Sequence, residues 1–232
     1  MPGEITFIDC GSFTKTIVIG GDGFLRGFNK ENGYCIGEWI VTNPSFRNCV
    51  YCAVPHYYHI VFGTDDGFVR FLNTSTFSVE EEFPAHSAPV TKLLSINLNT
   101  LLTYSEPIIK LWKKVVNVYE CINQIETKLF APIDVFYIRQ ENVKFTTTNS
   151  MVYTIKDGTY EQDSLIEDHI IPKPPLDYSI RIEEKEVVIE AKKDSIQIPI
   201  PSNVTASDCQ TDCFGIGCNE DFFFWTINVK IG

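Results

Sequence analysis

The sequence predicts an all-β fold built from repeated four-stranded units, because one turn recurs at regular intervals between alternating runs. The segment DGFLRGFN, which starts at Asp22, returns as DGFVRFLN at Asp66. Glu106 and Asn149 follow at comparable steps, which sets a period of about 40–45 residues. Four β runs in each period are typical of a β-propeller blade. The predicted fold class is therefore a β-propeller of about five to six blades, incomplete or open, forming a single domain over 1–232.

Four repeat units are clear and together cover 5–165. Each contains an inner run, a buried apolar run, an alternating run and an outer run, as in ITFIDCG, TIVIGG, FLRGFN and YCIGEWIV of the first unit. The Asp22-Gly23 and Asp66-Gly67 pairs lie where a tight hairpin would join the second and third runs. Asp-Gly suits such a turn because it tolerates positive φ and forms local side-chain hydrogen bonds. The period-2 alternation on both sides favours hairpins over helices.

The repeat pattern loosens towards the C-terminus. The Pro-rich stretch Ile170–Asp177 is predicted to be an extended connection. Six further runs follow over 176–232, where the blades are degenerate or truncated. These runs are too closely spaced for two complete sets of four strands. Either the fifth blade lacks its outer strand or the sixth lacks its inner one, and the termini offer no spare strand to close a ring.

Composition and charge narrow the classes of function. The chain has 19 Lys and Arg against 30 Asp and Glu, a formal net charge of −11, which argues against direct nucleic-acid binding. The N-terminus lacks the basic and apolar regions of a signal peptide. No apolar run reaches the roughly 18 residues of a membrane helix. We therefore expect a cytoplasmic or nuclear protein without membrane insertion, whose eight Cys are reduced and mostly buried.

The third unit carries the most specific motif. Its segment AHSAPVTKLLSI…LLTYSEPIIKLWKK resembles the WD-repeat family, which has a His before the inner strand, a Ser or Thr in the second strand, an Asp in the next turn and a Trp in the third strand. His86, Thr103 and Trp112 match three of these positions, Glu106 replaces the Asp, and Trp225 repeats the Trp in a later unit. The resemblance implies a divergent, shortened member in which these side chains form a structural hydrogen-bond network. It also implies an interaction platform, since nearly all WD-repeat propellers serve as one.

Two motifs could carry chemistry, and each has a structural alternative. The GGDG tetrad at Gly20–Gly23 is similar to one in NAD and diacylglycerol kinases, but a phosphate site there needs a following helix. Since FLRGFN alternates as a strand does, a hairpin is the favoured interpretation. Cys49, Cys52, His56 and His59 form the one set with zinc-ligand residue types. Residues three apart on a strand point to opposite faces, and the two His are expected in a polar loop, so a structural role is favoured over zinc.

Two segments are candidate partner sites. Phe46 and Arg47 lie in the loop NPSFRN before an inner strand, and such loops gather on a face of a propeller. Phe222 and Phe224 belong to the run FFFW, which would lie near an open edge if the last blade lacks its fourth strand. Such an edge can accept a strand from a partner.

The predicted function is that of a non-enzymatic scaffold or adaptor subunit of a larger intracellular complex. It would bind protein partners through propeller faces or an open blade edge, and no cofactor is predicted. One alternative is a coat or nuclear-pore type of open propeller that a partner's strand completes. Another is a small nucleotide-binding enzyme that uses the GGDG turn.

Overall fold

Antiparallel β-strands account for all the regular secondary structure in the described part of the chain. The structure, a computed structural model, describes residues 5–9, 15–40, 49–129, 131–139, 141–149, 151–163, 178–182, 186–191, 195–199, 204–209, 213–218 and 221–226. No helix in these ranges has the length and apolarity needed to cross a membrane.

The strands of the four clear repeats follow the predicted runs closely. The first two sheets contain β1 (Ile5–Asp9), β2 (Thr16–Gly21), β3 (Phe24–Asn29), β4 (Cys35–Ile40), β5 (Val50–His56), β6 (His59–Thr64), β7 (Phe68–Asn73) and β8 (Val79–Pro84). The next two contain β9 (Lys92–Asn97), β10 (Thr100–Ser105), β11 (Ile108–Val115), β12 (Val118–Glu126), β13 (Ile133–Arg139), β14 (Asn142–Thr147), β15 (Val152–Lys156) and β16 (Thr159–Gln162). Each of these sheets is a meander in which every strand pairs with its neighbour along the chain.

Two further sheets have three described strands each. They are formed by β17 (Tyr178–Ile182), β18 (Glu186–Ala191), β19 (Ser195–Pro199), β20 (Val204–Cys209), β21 (Cys213–Cys218) and β22 (Asp221–Thr226). The six sheets of the described residues agree with the predicted five to six repeats. The sixth sheet keeps its first strand, because β20 contacts β1. Two alternatives were open for the closely spaced C-terminal runs. The described strands favour the one in which the fifth blade lacks its outer strand.

The burial of each strand follows from its hydrophobic pattern. In β2 and β6 every residue after the first is buried, because TIVIGG and HIVFGT are almost continuously apolar or small. Such runs are typical of strands covered on both faces. The fourth strand β4 has no buried residue, as expected for the outer edge of a sheet.

The chain divides into two compact units. One comprises Met1–Ile40 and Pro172–Gly232, and the other comprises Val41–Ile171. The first contains a described core of Ile5, Ile8, Ile17, Ile19 and Phe24. The prediction of a single domain over 1–232 stays a prediction.

The unit at Val41–Ile171 holds the second, third and fourth sheets. Its sheets adjoin along their first strands, since β9 contacts β5 on one side and β13 on the other. Between the second and third sheets the core is largely aromatic: the ring of Tyr119 stacks on Phe71 at 5.3 Å and on Phe83 at 4.8 Å, and Phe83 lies 4.9 Å from Trp112. Between the third and fourth sheets the core combines Phe136 and Phe145 with aliphatic side chains from both sheets.

Candidate interaction surface

The turn between β6 and β7 is fixed by an ionic network. Asp66 accepts hydrogen bonds from Thr64 Oγ1 at 2.5 Å, from the Phe68 amide at 3.1 Å and from Arg70 Nη2 at 2.6 Å. Arg70 also donates to Thr64 Oγ1, and its Nε donates to Glu82 at 2.9 Å. Burial alone would raise the pKa of Asp66, but the hydrogen bonds from Arg70 and Thr64 outweigh it and lower this pKa below its usual value. The carboxylate is therefore charged and holds the turn rigid.

The first sheet repeats part of this network. Arg26, the counterpart of Arg70, pairs with Glu38 on β4 as Arg70 pairs with Glu82 on β8. Each guanidinium also lies 5.1 Å from a ring centroid, Arg26 over Phe24 and Arg70 over Phe68. The recurring DGF-x-R motif thus places the same cation on the third strand of both sheets. This arrangement stabilises the sheets.

Gly23 and Gly67 both adopt the left-handed backbone that an Asp-Gly hairpin requires, with φ of 79° and 82°. The Gly67 carbonyl accepts hydrogen bonds from the amides of Ala85 and His86 at 2.9 and 3.0 Å. A Cβ on Gly67 would lie 2.1 Å from the His86 carbonyl oxygen. The glycine therefore allows the turn of the second sheet to approach the segment that leads into the third.

That segment places His86 against two residues of the third sheet. His86 Nε2 lies 2.7 Å from Thr103 Oγ1, and Trp112 Nε1 donates to the same oxygen at 2.9 Å. Glu106 is exposed and has no hydrogen bond to these three side chains. The neighbouring Lys110 instead donates to the Ala85 carbonyl at 2.8 Å. The structure thus brings together three of the four residues that the resemblance placed in one network and leaves Glu106 outside it.

The protonation state of His86 follows from its surroundings. Burial, together with the positive charge of Lys110, lowers the pKa of its imidazole to about 4. The Trp112 indole is only a donor, so the Thr103 hydroxyl accepts from it and has its own proton available for the neutral imidazole. The uncharged His86 thus satisfies the chain of hydrogen bonds, which is a structural state.

The residues of the zinc alternative are separated in the structure. His56 Nδ1 lies 2.8 Å from Ser95 Oγ, whereas His59 Nε2 lies 2.8 Å from Glu80 Oε2. Burial raises the pKa of the Cys52 thiol to about 12, and this thiol donates to the Val90 carbonyl, so it is not the thiolate that zinc requires. Among the described residues no group of three or more His, Cys, Asp or Glu side chains could hold a metal.

The prediction that the two His lie in a loop is wrong. His56 ends β5 and His59 begins β6, and the two pair across the hairpin. The reason is that the turn needs only the two residues between them, so both His take part in the antiparallel pairing of β5 with β6.

The GGDG tetrad forms a hairpin. Gly20 and Gly21 belong to β2 and pair with Leu25 and Phe24 of β3. A strand therefore occupies the place where a phosphate site would need a helix.

Several predicted partner residues lie outside what the structure describes. Phe46 and Arg47 fall in 41–48, which is outside the described residues. Phe222, Phe224 and Trp225 lie on β22, where only the backbone is described. These assignments stay predictions.

The described residues reveal a different surface. It lies at the end of the sheets that carries the turn between the first and second strands and the turn between the third and fourth strands of each sheet. In an antiparallel meander these two turns lie at the same end. We call this surface of the Val41–Ile171 unit the hairpin face; its described residues are Glu141 and the turns at 57–58, 74–78, 98–99, 116–117 and 157–158. The bond between His56 and Ser95 joins the second sheet to the third near this end.

Exposed apolar side chains concentrate on the hairpin face. Tyr57 is 70% exposed, Tyr58 63%, Leu98 57% and Val116 90%. All four lie in two-residue turns, where polar residues and glycine are the rule. The two tyrosine rings pack against each other with centroids 4.0 Å apart. Val118, two residues after Val116, is 63% exposed as well.

Two of these turn residues also hold an unfavourable backbone. Tyr57 has φ of 58° and Val116 has φ of 59°. A β-branched residue is rarely found in this region, since its Cβ meets the following carbonyl. Local strain of this kind is often retained where a side chain serves binding.

The sequence contains a signal for this surface that is separate from the repeat pattern and the family motif. Apolar residues stand in YY, LN and VN at positions where a two-residue hairpin normally has Asn-Gly or Asp-Gly. Such a mismatch between residue and turn can be found from the sequence once the strands are placed.

Comparison with solved structures identifies the class of fold. The chain superposes on the crystal structure of the RRP9 WD40 repeats with a TM-score of 0.67, at 11% identity over 94% of this chain and 88% of that one. The WD40 β-propeller domain of Doa1 gives 0.57, at 14% identity over 94% and 77%. A chain of the mitotic checkpoint complex gives 0.57, at 10% identity over 97% and 78%.

These similarities show that the chain has the WD40-type β-propeller fold, so the predicted fold class is confirmed. No protein-family model and no curated protein matches the sequence. At these levels of identity the likeness concerns the fold alone.

Proposed function

We propose that the chain is a non-enzymatic protein-interaction scaffold, a subunit of a multi-protein complex, and that its hairpin face binds a protein partner. The observation that carries the proposal is the group of exposed apolar side chains at Tyr57, Tyr58, Leu98 and Val116. Exposed apolar groups that lie together mark interaction sites on proteins that are otherwise well packed. Aromatic residues are also enriched where partners bind most tightly.

The remaining described features support binding over catalysis. The polar networks at Asp66 and Thr103 are internally satisfied and stabilise the sheets. A formal charge of −11 favours protein partners, basic ones in particular, over nucleic acid. The reduced thiols of Cys35, Cys52 and Cys121 suit a reducing compartment such as the cytoplasm or nucleus.

Affinity capture with matched variants tests the proposal. The tagged chain is used to retain partners from its native lysate, and their stoichiometry is measured by mass spectrometry. The hairpin-face variant combines Tyr57→Asn, Tyr58→Ser, Leu98→Ser and Val116→Asn. The control combines Ile122→Thr and Val135→Thr, which remove exposed apolar groups from strands instead of turns.

We expect the wild type and the control to retain the same one or few near-equimolar partners, and the hairpin-face variant to lose them. Retention by the hairpin-face variant at unchanged stoichiometry would assign the binding to another surface. A wild-type chain that stays alone would contradict the scaffold function itself.

A second candidate is a propeller completed by a strand from its partner. The observation that favours it is β22, which pairs only with β21 among the described strands. An added strand would protect the amides of Asp221–Thr226 from hydrogen exchange in the complex. If the complex instead protects the amides in the turns of the hairpin face from hydrogen exchange and leaves β22 unprotected, the partner binds at the hairpin face.

A further inference from the structure

A groove opens on the hairpin face between the third and fourth sheets. It encloses about 390 Å³. Its walls are mainly aliphatic, with Ile96 and Leu111 from the third sheet and Val143 and Ile155 from the fourth. All four side chains are only partly buried, so the groove is accessible from solvent.

The neighbouring junction is packed differently. Between the second and third sheets four aromatic rings form a continuous row, with ring centroids 4.9 Å apart for Trp112 and Phe83, 4.8 Å for Phe83 and Tyr119, and 5.3 Å for Tyr119 and Phe71. Native interiors contain few voids larger than one water molecule, whose share of the liquid is roughly 30 Å³. Between the third and fourth sheets the side chains thus leave a groove, whereas aromatic rings fill the space at the junction between the second and third sheets.

The rim of the groove is acidic. Glu141 and Asp157 line it, and no Lys or Arg belongs to its described lining. Neither carboxylate forms a salt bridge among the described residues: Lys156, next to Asp157 and attracted by its charge, pairs with Glu161 at 3.0 Å. Both acids are exposed. Glu141 directly precedes β14 and Asp157 directly follows β15, so both lie at strand ends beside the aliphatic walls.

We propose that this groove binds a short segment of a protein partner, in which an aliphatic or aromatic side chain enters the cavity and a neighbouring Lys or Arg pairs with Glu141 and Asp157. The volume lies in the lower part of the range of about 300–1,000 Å³ found for ligand sites, which suits side chains of a peptide. The two rim carboxylates, which form no salt bridge among the described residues, select the positive charge. The inference rests on the proposed function and deepens it by naming the chemistry that the partner presents.

Labelled synthetic peptides provide the probe. Each has a Gly-Ser background and a central Leu, Phe or Trp, which Arg, Ser or Glu flanks on both sides. Their affinity for the full chain is measured by fluorescence polarisation. We expect the Arg-flanked peptides to bind more tightly than the Ser-flanked ones and the Glu-flanked peptides to bind most weakly.

Two kinds of variant separate the two halves of the proposal. Glu141→Gln with Asp157→Asn keeps the shape of the turns and should reduce the advantage of Arg over Ser by about five- to tenfold, the effect of two exposed ion pairs. Leu111→Phe and, separately, Val143→Phe fill the cavity and should abolish binding of every peptide. Ile122→Phe adds similar bulk at an exposed site on the third sheet away from the groove lining and should leave binding unchanged.

Three results would overturn the inference. Peptides could bind without regard to the charge of their flanks, or the filled variants could bind as well as the wild type. Sedimentation could instead reveal a dimer of the chain that Leu111→Phe abolishes, which would make a second copy the occupant.

Failure of the inference is separable from failure of the proposed function. If Leu111→Phe and Val143→Phe retain the captured partners at wild-type stoichiometry and no peptide binds, the groove is not the site while the scaffold function stands. If the wild type captures no partner, the scaffold function fails. The peptide series still shows independently whether the groove binds an apolar side chain flanked by positive charge.

Discussion

Thr103→Val removes one hydroxyl from the centre of the hydrogen-bond chain formed by His86, Thr103 and Trp112. Thr103 is fully buried, and its oxygen accepts from Trp112 Nε1 at 2.9 Å and lies 2.7 Å from His86 Nε2. Valine has nearly the same shape, so packing changes little. The substitution leaves the indole N–H, which has no other role than donor, buried without an acceptor.

The magnitude follows from these contacts. An unsatisfied buried donor costs about 1–3 kcal/mol, and the half-buried His86 can recover part of its lost bond from water. We expect Thr103→Val to lower the free energy of unfolding by about 2 kcal/mol. Thr103→Ser keeps the hydroxyl and loses one methyl group, so it should cost only about 1 kcal/mol.

Urea unfolding followed by circular dichroism measures both variants. The decisive comparison repeats Thr103→Val in a Trp112→Phe background, where no indole N–H remains to be stranded. There the substitution should cost about 1 kcal/mol less, which is the coupling between the two side chains. Exchange of the indole proton, observed by NMR, should be slow in the wild type and in Thr103→Ser and fast in Thr103→Val.

An equal cost of Thr103→Val in both backgrounds would refute this reasoning. It would mean that the hydroxyl does not serve Trp112 and that the network contributes through packing alone.

Four further predictions concern single side chains, each measured by urea unfolding. Burial and Lys110 hold the pKa of His86 near 4, below the value of roughly 6.5 in the unfolded chain. As the pH falls through that interval, the free energy of unfolding of the wild type should decrease by about 1 kcal/mol relative to His86→Gln. A difference between the two proteins that is constant with pH would contradict this. Val116→Asn should stabilise the protein by about 1 kcal/mol, since Asn tolerates the left-handed backbone, and an unchanged midpoint would show that Val116 is not strained. The Tyr119 hydroxyl is buried without a partner among the described residues, so Tyr119→Phe should be neutral or stabilising by about 1 kcal/mol, and a comparable loss would reveal a partner. Gly67→Ala should destabilise by at least about 2 kcal/mol, because its Cβ would meet the His86 carbonyl; tolerance of alanine would exclude that close approach.

Local sequence patterns were sufficient to predict the strands. The alternation in FVRFLN and the apolar run in HIVFGT specify β7 and β6, because side chains alternate between the faces of a strand and burial on both faces demands an apolar run. The Asp-Gly turns were equally readable, since few other dipeptides adopt the left-handed backbone of Gly23 and Gly67.

The sites were less accessible to such reasoning. The WD-repeat resemblance supplied His86, Thr103 and Trp112, which the structure places within hydrogen-bond distance. It also supplied Glu106, which lies outside the network because the turn that begins there directs an exposed side chain to solvent. The partner of His56, Ser95, belongs to another sheet and has no signature in the sequence near either residue.

The sequence by itself determined the strands, their order within each sheet, the tight turns and the propeller class, since each of these depends on residues close together along the chain. Only the tertiary structure decided where exposed apolar turns gather and where a groove remains. A cavity is the difference between the space that two sheets enclose and the volume of side chains that enter it from both. The walls at Leu111 and Val143 come from different repeats, so their fit is a property of the packed pair and cannot be read from either repeat alone.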